Sequence, residues 1–330
     1  MDKRKDIPWV TLAKFLGLYL MILGHMELVE PEHSAFIYTF HMPLFFILSG
    51  MFAKRVEDKK TFAKKLWKRL LIPFMIIAAT WCVIYIVLWV KNGIFDISYW
   101  ISYIIGTFIS PGKDFLTFQT LRGPLWFLLA LAEIKLLNFC CKQKLHWVVA
   151  AAISVMLFIL LKKINIVLPI ALDSAMMAMP FYCVGMFLKE YLLKENSDFT
   201  NIILLSVFSI ITLFIYRQNG IVDINHCLYG DSLLLFYLGG ISGSLMIIFL
   251  TKLHLLNFIK SGGVIVTITA GAMLIIGYSQ TISSMIRTLL PFLAGTTWGG
   301  MIIGLLTMAV SYPLILLAMR YFPAILGYRK

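Results

Sequence analysis

A lysine and a histidine in the first apolar segment have the spacing of a functional pair. The segment reads KFLGLYLMILGH, with Lys14 at its start and His25 at its end. In a helix, eleven steps of 100° return to within about 20° of the starting direction and advance about 16 Å. We therefore expect both side chains on one helical face, toward opposite sides of a membrane. Ionisable residues inside a membrane are costly and mark functional sites.

His25 is the candidate for the chemical step. Histidine titrates near neutral pH, so its imidazole can take a proton from a hydroxyl group as a general base. Lys14, near the inner side, is a candidate to bind an anionic or thioester-bearing donor. The alternatives are a helix-end histidine that only packs and a lysine that extends to the lipid headgroups.

A second group of candidates is basic and lies in KKLWKRLLIPF, residues 64–74. Lys65, Lys68 and Arg69 share a face if this run is helical. Clustered cations at a membrane boundary can bind phosphate groups. They also orient membrane segments and attract anionic lipids, and this interpretation is favoured when the cluster is considered alone.

A third group of candidates surrounds the fourth apolar segment. Glu133 is an intramembrane carboxylate that needs a partner, although nearby Lys135 is also compatible with a position at the inner boundary. Arg122 and Trp126 flank the start of the segment and are candidates to line an outer acceptor cleft. Anchoring at the membrane interface explains these two residues equally well.

The second apolar segment contains FHMPLFFILSG, residues 40–50. Gly50, preceded by Ser49, predicts close packing between helices. His41 is interpreted as a core residue rather than as a second histidine of the site.

The composition predicts an all-α, polytopic integral membrane protein. Hydrophobic residues make up 60% of the chain and charged residues 14%, whereas soluble domains carry about 25% charged residues. Only helices satisfy the backbone of such segments in lipid, and each needs about 20 apolar residues. The 330 residues are expected to form one transmembrane domain with about ten helices. Their expected ranges are 8–28, 35–52, 70–90, 122–139, 146–161, 171–189, 200–216, 232–250, 263–279 and 296–319.

The positive charge follows membrane topology rather than nucleic-acid binding. With ten spans, twenty Lys and Arg residues fall in inner segments and seven in outer segments. This asymmetry predicts that both termini are cytoplasmic. We expect the protein to lie in the inner (plasma) membrane, among its lipids. The five cysteines show no metal-ligand spacing, so no metal is predicted. Lys14 interrupts the first apolar run, and we expect this run to be a retained helix rather than a signal peptide.

Four segments resemble the type-three membrane acyltransferases, bacterial enzymes that O-acylate carbohydrates. They are the Lys14–His25 pair, FHMPLFFILSG, KKLWKRLLIPF and GPLWFLLAL at 123–131. The resemblance is sharp over the first 131 residues and diffuse afterwards. The subgroup that lacks an attached soluble domain is the most similar.

The resemblance implies an O-acetyltransferase. The family moves an acyl group from cytoplasmic acyl-CoA, usually acetyl-CoA, to a hydroxyl of a cell-envelope or exported carbohydrate or a lipid-linked glycan. On this chain His25 becomes the essential histidine and Lys14 the basic position of the first helix. Lys65 and Lys68 occupy the Arg-x-x-Arg motif, with Arg69 beside them.

This chain departs from the family pattern at three places. Lysines at 65 and 68 replace arginines, which removes bidentate recognition of phosphate. Thr11 stands where an acidic residue is frequent. The ninth segment reads LIIGYSQ, with Tyr278 and Ser279 where the family commonly has a histidine.

Two other functions compete with the acyltransferase hypothesis. In a secondary transporter of a glycan precursor or organic anion, the intramembrane Lys, His and Glu would bind substrate or protons, and broken helices would be expected. The second competing function is that of a catalytically inert scaffold in envelope assembly. The sequence predicts neither the identity of the acceptor nor an oligomeric state.

Overall fold

The computed structural model describes residues 7–26, 31–54, 56, 58–109, 113, 118, 123–260 and 262–327. The helices of the first half are α1 Pro8–Gly24, α2 Pro31–Tyr38, α3 His41–Met51, α4 Lys59–Leu66, α5 Ile72–Lys91, α6 Ile97–Ile109, α7 Trp126–Leu136 and α8 Lys144–Lys163. The second half contains α9 Leu172–Leu193, α10 Asp198–Asn219, β1 Val222–Asp223, β2 Leu228–Tyr229, α11 Leu233–Lys252, α12 Asn257–Lys260, α13 Gly263–Ala270, α14 Ala272–Leu289 and α15 Thr297–Tyr321.

The described residues confirm an all-α polytopic membrane protein. Every apolar segment predicted from the sequence contains a helix. Six helical stretches are long and apolar enough to cross a membrane, and a seventh is possible if the bent pair α13–α14 is one span. The expected number of ten spans is not confirmed; α1, for example, is shorter than this test requires.

The chain divides into two compact units. The first unit contains Met1–Ala53, Pro180–Ile224 and Leu228–Leu317. The second unit contains Lys54–Met179, Asn225–Cys227 and Ala318–Lys330.

In the first unit, α1 packs against α2, α3, α11 and the helices from α12 to α14. Pro8 lies at the start of α1, where its missing N–H would be unpaired anyway. The helix ends at Gly24, earlier than the predicted span, and His25 is its C-cap residue. A β-carbon on Gly24 would lie 3.3 Å from the Tyr38 ring, so the glycine allows α2 to approach the end of α1.

Glycines bring α3 into backbone contact with the part of α9 that belongs to the first unit. A β-carbon on Gly50 would lie 1.9 Å from the carbonyl oxygen of Tyr182. In return, a β-carbon on Gly185 would lie 2.0 Å from the carbonyl oxygen of Ile47. The predicted close packing at Gly50 is therefore confirmed.

The ninth apolar segment is broken rather than straight. Helices α13 and α14 meet at Gly271 with a bend of 87°. A β-carbon on Gly271 would lie 2.3 Å from Cγ1 of Ile315 on α15. The corner thus depends on a tertiary contact that the hydropathy of the segment does not reveal.

In the second unit, most of the basic stretch 53–69 that precedes the third predicted span is helical. Asp58 caps α4 by accepting hydrogen bonds from the backbone N–H groups of Lys60 and Thr61, at 3.0 and 3.1 Å. From Lys59 the chain stays helical, through a π-helical segment at Trp67–Leu71, into α5. The cap therefore turns the second part of the basic stretch into an extension of the third predicted span.

Candidate active site

His25 is held in one tautomer at the end of α1. Its Nδ1 lies 2.9 Å from the carbonyl oxygen of Met21. A carbonyl oxygen only accepts hydrogen bonds, so Nδ1 carries the proton and Nε2 of the neutral ring carries the lone pair. The helix end thus orients the ring and leaves Nε2 with the chemistry of a base or a nucleophile.

His41 lies beside His25 and repeats the same arrangement. Its Nδ1 donates to the carbonyl oxygen of Ile37 at 2.9 Å, so its Nε2 also carries a lone pair. The rings of His25 and His41 meet edge to face, with centroids 6.2 Å apart. Tyr38 contacts both rings, at centroid distances of 5.8 Å from His25 and 5.0 Å from His41. The interpretation of His41 as only a core residue did not anticipate this cluster.

Asp223 adds a negative charge to this group of rings. Strand β1, which carries Asp223, packs against α2. From there the carboxylate interacts electrostatically with His25, Tyr38 and His41. Asp223 is not among the residues predicted from the sequence, because no periodic pattern links its part of the chain to α1.

The hairpin that carries Asp223 is fixed by the Asn219 side chain at the end of α10. Asn219 Nδ2 donates to the Tyr229 carbonyl, and Asn219 Oδ1 accepts from the Ser232 N–H, both at 2.8 Å. Gly230 has a φ of +74°, and a β-carbon there would lie 1.9 Å from the Asn219 carbonyl oxygen. This turn therefore requires glycine.

Lys14 lies on the same helix as His25, as predicted, about 16 Å away by helix rise. Lys14 is exposed, and its Nζ lies 5.9 Å from the centroid of the Phe52 ring. The structure therefore keeps these two residues at different levels of one helix rather than in contact.

The basic candidates of the second unit lie on one helical run. Lys65 on α4 and Arg69 in the π-helical segment are exposed, and Lys68 between them is half-buried. π-helical turns are rare and frequently occur at functional sites. The arrangement suits an anion that approaches from solvent, whether a lipid headgroup or a nucleotide phosphate.

Glu133 belongs to a buried group of charges in the second unit. Lys113 Nζ lies 2.5 Å from Asp173 Oδ1, and their side chains are only 9% and 6% exposed. Glu133 interacts electrostatically with both residues. Among the described residues, no hydrogen-bond partner lies at its buried Oε2 atom.

Cys227 lies next to this charged group but is unsuited to nucleophilic chemistry. Its Sγ is 4.0 Å from Lys113 Nζ. Burial raises the pKa of the Cys227 thiol to about 12, so the reactive thiolate is nearly absent at neutral pH. Within the described part of the chain, no three His, Cys, Asp or Glu residues are placed to hold a metal ion.

The two other candidates for the acceptor cleft are Trp126 and Arg122. Trp126 is buried, at 4% exposure, and its ring packs edge-on against Phe127. Arg122 lies outside the described residues. Their assignment to an acceptor cleft stays a prediction.

The residues that replace the expected ninth-segment histidine lie on α14, which packs against α1. Ser279 is buried, at 2% exposure. The first unit thus places Tyr278 and Ser279 on a helix adjacent to the one that ends at His25.

The fold and the site define an all-α membrane protein with a pair of histidines near the end of its first helix. The family model described as an acyltransferase domain matches residues 7–316. The chain therefore belongs to the type-three acyltransferase family and is an acyltransferase. Comparison with curated proteins and comparison with solved structures gave no match.

Proposed function

We propose that this protein is a single-domain O-acetyltransferase of the inner membrane, with both termini in the cytoplasm. In this proposal the donor is cytoplasmic acetyl-CoA, and the acceptor is a hydroxyl of a cell-envelope or exported carbohydrate, free or lipid-linked. Family membership supports an acyl transfer reaction. The observation that carries the assignment of the site is the fixed tautomer of His25, whose Nε2 lone pair provides the base.

His25 takes the proton of the acceptor hydroxyl in this mechanism. The acceptor oxygen forms a bond to the acyl carbonyl carbon, the C–S bond breaks, and CoA leaves as a thiolate that takes up the proton. Alternatively, His25 Nε2 attacks the acyl carbonyl carbon, the C–S bond breaks, and CoA leaves as a thiolate. The acceptor hydroxyl then attacks the acyl-histidine, the acyl–nitrogen bond breaks, and the hydroxyl proton passes to the thiolate. Both routes use the same nitrogen. Asp223 stabilises the positive charge that develops on the imidazole.

Lys65, Lys68 and Arg69 bind the phosphate groups of CoA in this proposal. Their support is their position on one helical run, where Lys65 and Arg69 are exposed, together with the resemblance of this run to the basic motif of the family. Lys14 steadies the donor electrostatically from the first helix. Arg122, Trp126 and Glu133 remain the proposed acceptor residues.

A transporter is the competing function, and one observation favours it. The 87° bend between α13 and α14 is the kind of broken helix that transporters use to bind substrates. Because the acyltransferase model extends across this bend, to residue 316, we assign the bend to the acyltransferase itself.

Acetyl transfer by purified protein tests the proposal directly. The protein in detergent is supplied with [¹⁴C]acetyl-CoA and a panel of envelope glycans, and transfer is compared with that of His25→Ala and His33→Ala. Loss of a general base lowers the rate by about 10²–10⁴-fold. His33, an exposed histidine on α2, is the matched control. Full activity of His25→Ala in folded protein would overturn the assignment.

Donor binding is tested by thermal stability with CoA and acetyl-CoA, since a ligand of the folded state raises its apparent stability. Replacing Lys65, Lys68 and Arg69 with Gln should abolish the shift. Replacing Lys54, Lys59 and Lys60 removes the same charge and should preserve it. The absence of any shift at millimolar CoA would favour the transporter.

A further inference from the structure

The imidazole of His41 has a buried acceptor atom that the proposed reaction does not use. The residue is 1% exposed. Its Nδ1–H donates to the Ile37 carbonyl, which leaves Nε2 able only to accept in the neutral ring. Among the described residues, no hydrogen-bond partner lies at Nε2. A buried polar atom without a partner costs free energy, and a ligand that supplies the donor recovers that cost.

The location of His41 restricts which ligands can supply a hydrogen-bond donor to its Nε2 atom. Its ring lies edge to face with that of His25, and Tyr38 contacts both rings. Any group that reaches His41 Nε2 therefore comes within a few ångströms of the proposed catalytic ring. A ligand that donates to both nitrogens carries two neighbouring hydrogen-bond donors.

We propose that His41 is a specificity residue that accepts a hydrogen bond from a second hydroxyl of the acceptor, next to the one that is acylated. The site would thus select a diol with hydroxyls on adjacent carbons, as in a hexopyranose ring. This inference rests on the proposed function, because it takes His25 as the group that meets the first hydroxyl. The nearby Asp223 carboxylate accepts hydrogen bonds but cannot donate, so it does not replace the ligand.

Two other groups could donate a hydrogen bond to His41 Nε2. An amide N–H of acetyl-CoA is one, and an ordered water molecule is the other. Only the diol predicts that removing one hydroxyl of the acceptor and removing the His41 acceptor have the same, non-additive effect.

A binding cycle separates these sources. Dissociation constants for methyl α-D-hexopyranosides of the gluco, galacto and manno series, and for their monodeoxy analogues, are measured calorimetrically on wild type, His41→Leu and His41→Gln. We expect wild type to bind one parent glycoside about tenfold more tightly than one of its deoxy analogues, as for loss of one hydrogen bond. His41→Leu should bind the two equally, and His41→Gln, which keeps an acceptor oxygen, should restore part of the preference.

The binding readout keeps this inference separate from the proposed function. Glycoside binding with the expected cycle but no acetyl transfer would remove the O-acetyltransferase proposal and leave the diol site. Preference that survives in His41→Leu, or no glycoside bound by folded wild type, would overturn the diol site. Loss of acetyl-CoA binding in His41→Leu with glycoside binding unchanged would assign Nε2 to the donor and also overturn it. If His41→Leu does not fold, the same comparison is made between wild type and His41→Gln, where a reduced preference supports the inference and an unchanged preference contradicts it.

Discussion

Lys113 and Asp173 form a buried ion pair in the second unit, with Nζ and Oδ1 2.5 Å apart and both side chains less than one-tenth exposed. Asp173 also accepts from its neighbour, the Ser174 N–H, at 2.8 Å. Glu133 interacts electrostatically with both members of the pair. The lysine therefore interacts with two carboxyl groups, with Asp173 through a direct ion pair and with Glu133 electrostatically.

This asymmetry predicts unequal costs for breaking the pair. Lys113→Met leaves two carboxyl groups without their cation and should lower the free energy of unfolding by about 3–5 kcal/mol. Asp173→Asn should cost less, because Glu133 can still pair with Lys113, and the double variant should cost less than the sum. Denaturation in detergent measures these changes, with exposed Lys163→Met as the control. Equal costs for the two single variants would show that Glu133 does not act as a second partner.

The contact between α3 and α9 predicts a strong effect of one methyl group. Gly50→Ala places a β-carbon 1.9 Å from the Tyr182 carbonyl oxygen, so the helices must separate. Overpacking of this kind costs about 1–3 kcal/mol. Thermal unfolding should show a clear loss for Gly50→Ala and none for Gly263→Ala, where a β-carbon would meet no atom within 4 Å. Similar melting temperatures for both variants would contradict the close crossing.

The buried cation of Lys252 is predicted to stabilise the end of α9. Its Nζ donates to the carbonyls of Leu192 and Lys194, at 3.1 and 2.7 Å, where α9 ends. Lys252→Met leaves these helix-end carbonyls without that donor and should destabilise the protein by about 1–3 kcal/mol. Lys194→Met is the matched control, because it removes an exposed side chain but keeps the backbone carbonyl. If both variants unfold at the wild-type temperature, solvent or lipid supplies the missing donor.

The sequence predicted the parts of the fold that depend on local signals. Each of the ten predicted apolar ranges contains a helix, and the spacing of Lys14 and His25 placed Lys14 on α1 and His25 at its end. The Asp58 cap is a local signal as well, and it marks the start of the helical run that carries Lys65, Lys68 and Arg69. The bend at Gly271 was not predictable in this way, because it depends on the packing of Ile315.

The residues of the candidate site also differ in whether local sequence signals predict them. His25 was predicted because it shares one helix with Lys14, whereas His41 reaches it through a turn between α2 and α3. That turn is fixed by tertiary packing, since a β-carbon on Gly243 of α11 would lie 2.4 Å from Cβ of Phe40. Asp223 comes from a hairpin far along the chain, and only the three-dimensional structure shows that it belongs with the histidines.

Asp223 gives the prediction that tests the electrostatics of the proposed site. In the transition state the imidazole of His25 gains positive charge, which a nearby carboxylate stabilises more than it stabilises the neutral ring. Asp223→Asn keeps the size of the side chain and removes its charge. We expect kcat for acetyl transfer to fall about tenfold, equivalent to about 1.4 kcal/mol of transition-state stabilisation. The KM for acetyl-CoA should stay unchanged, because the charge acts on the proton transfer.

Asp231→Asn provides the control for this experiment, since it removes an exposed carboxylate just after the same hairpin. A long-range effect of net charge would slow both variants alike and would weaken as salt is added. A local effect on His25 should appear in Asp223→Asn alone and persist at high salt, because partly buried charges are screened less. Wild-type kcat in folded Asp223→Asn would show that the carboxylate does not contribute to the reaction.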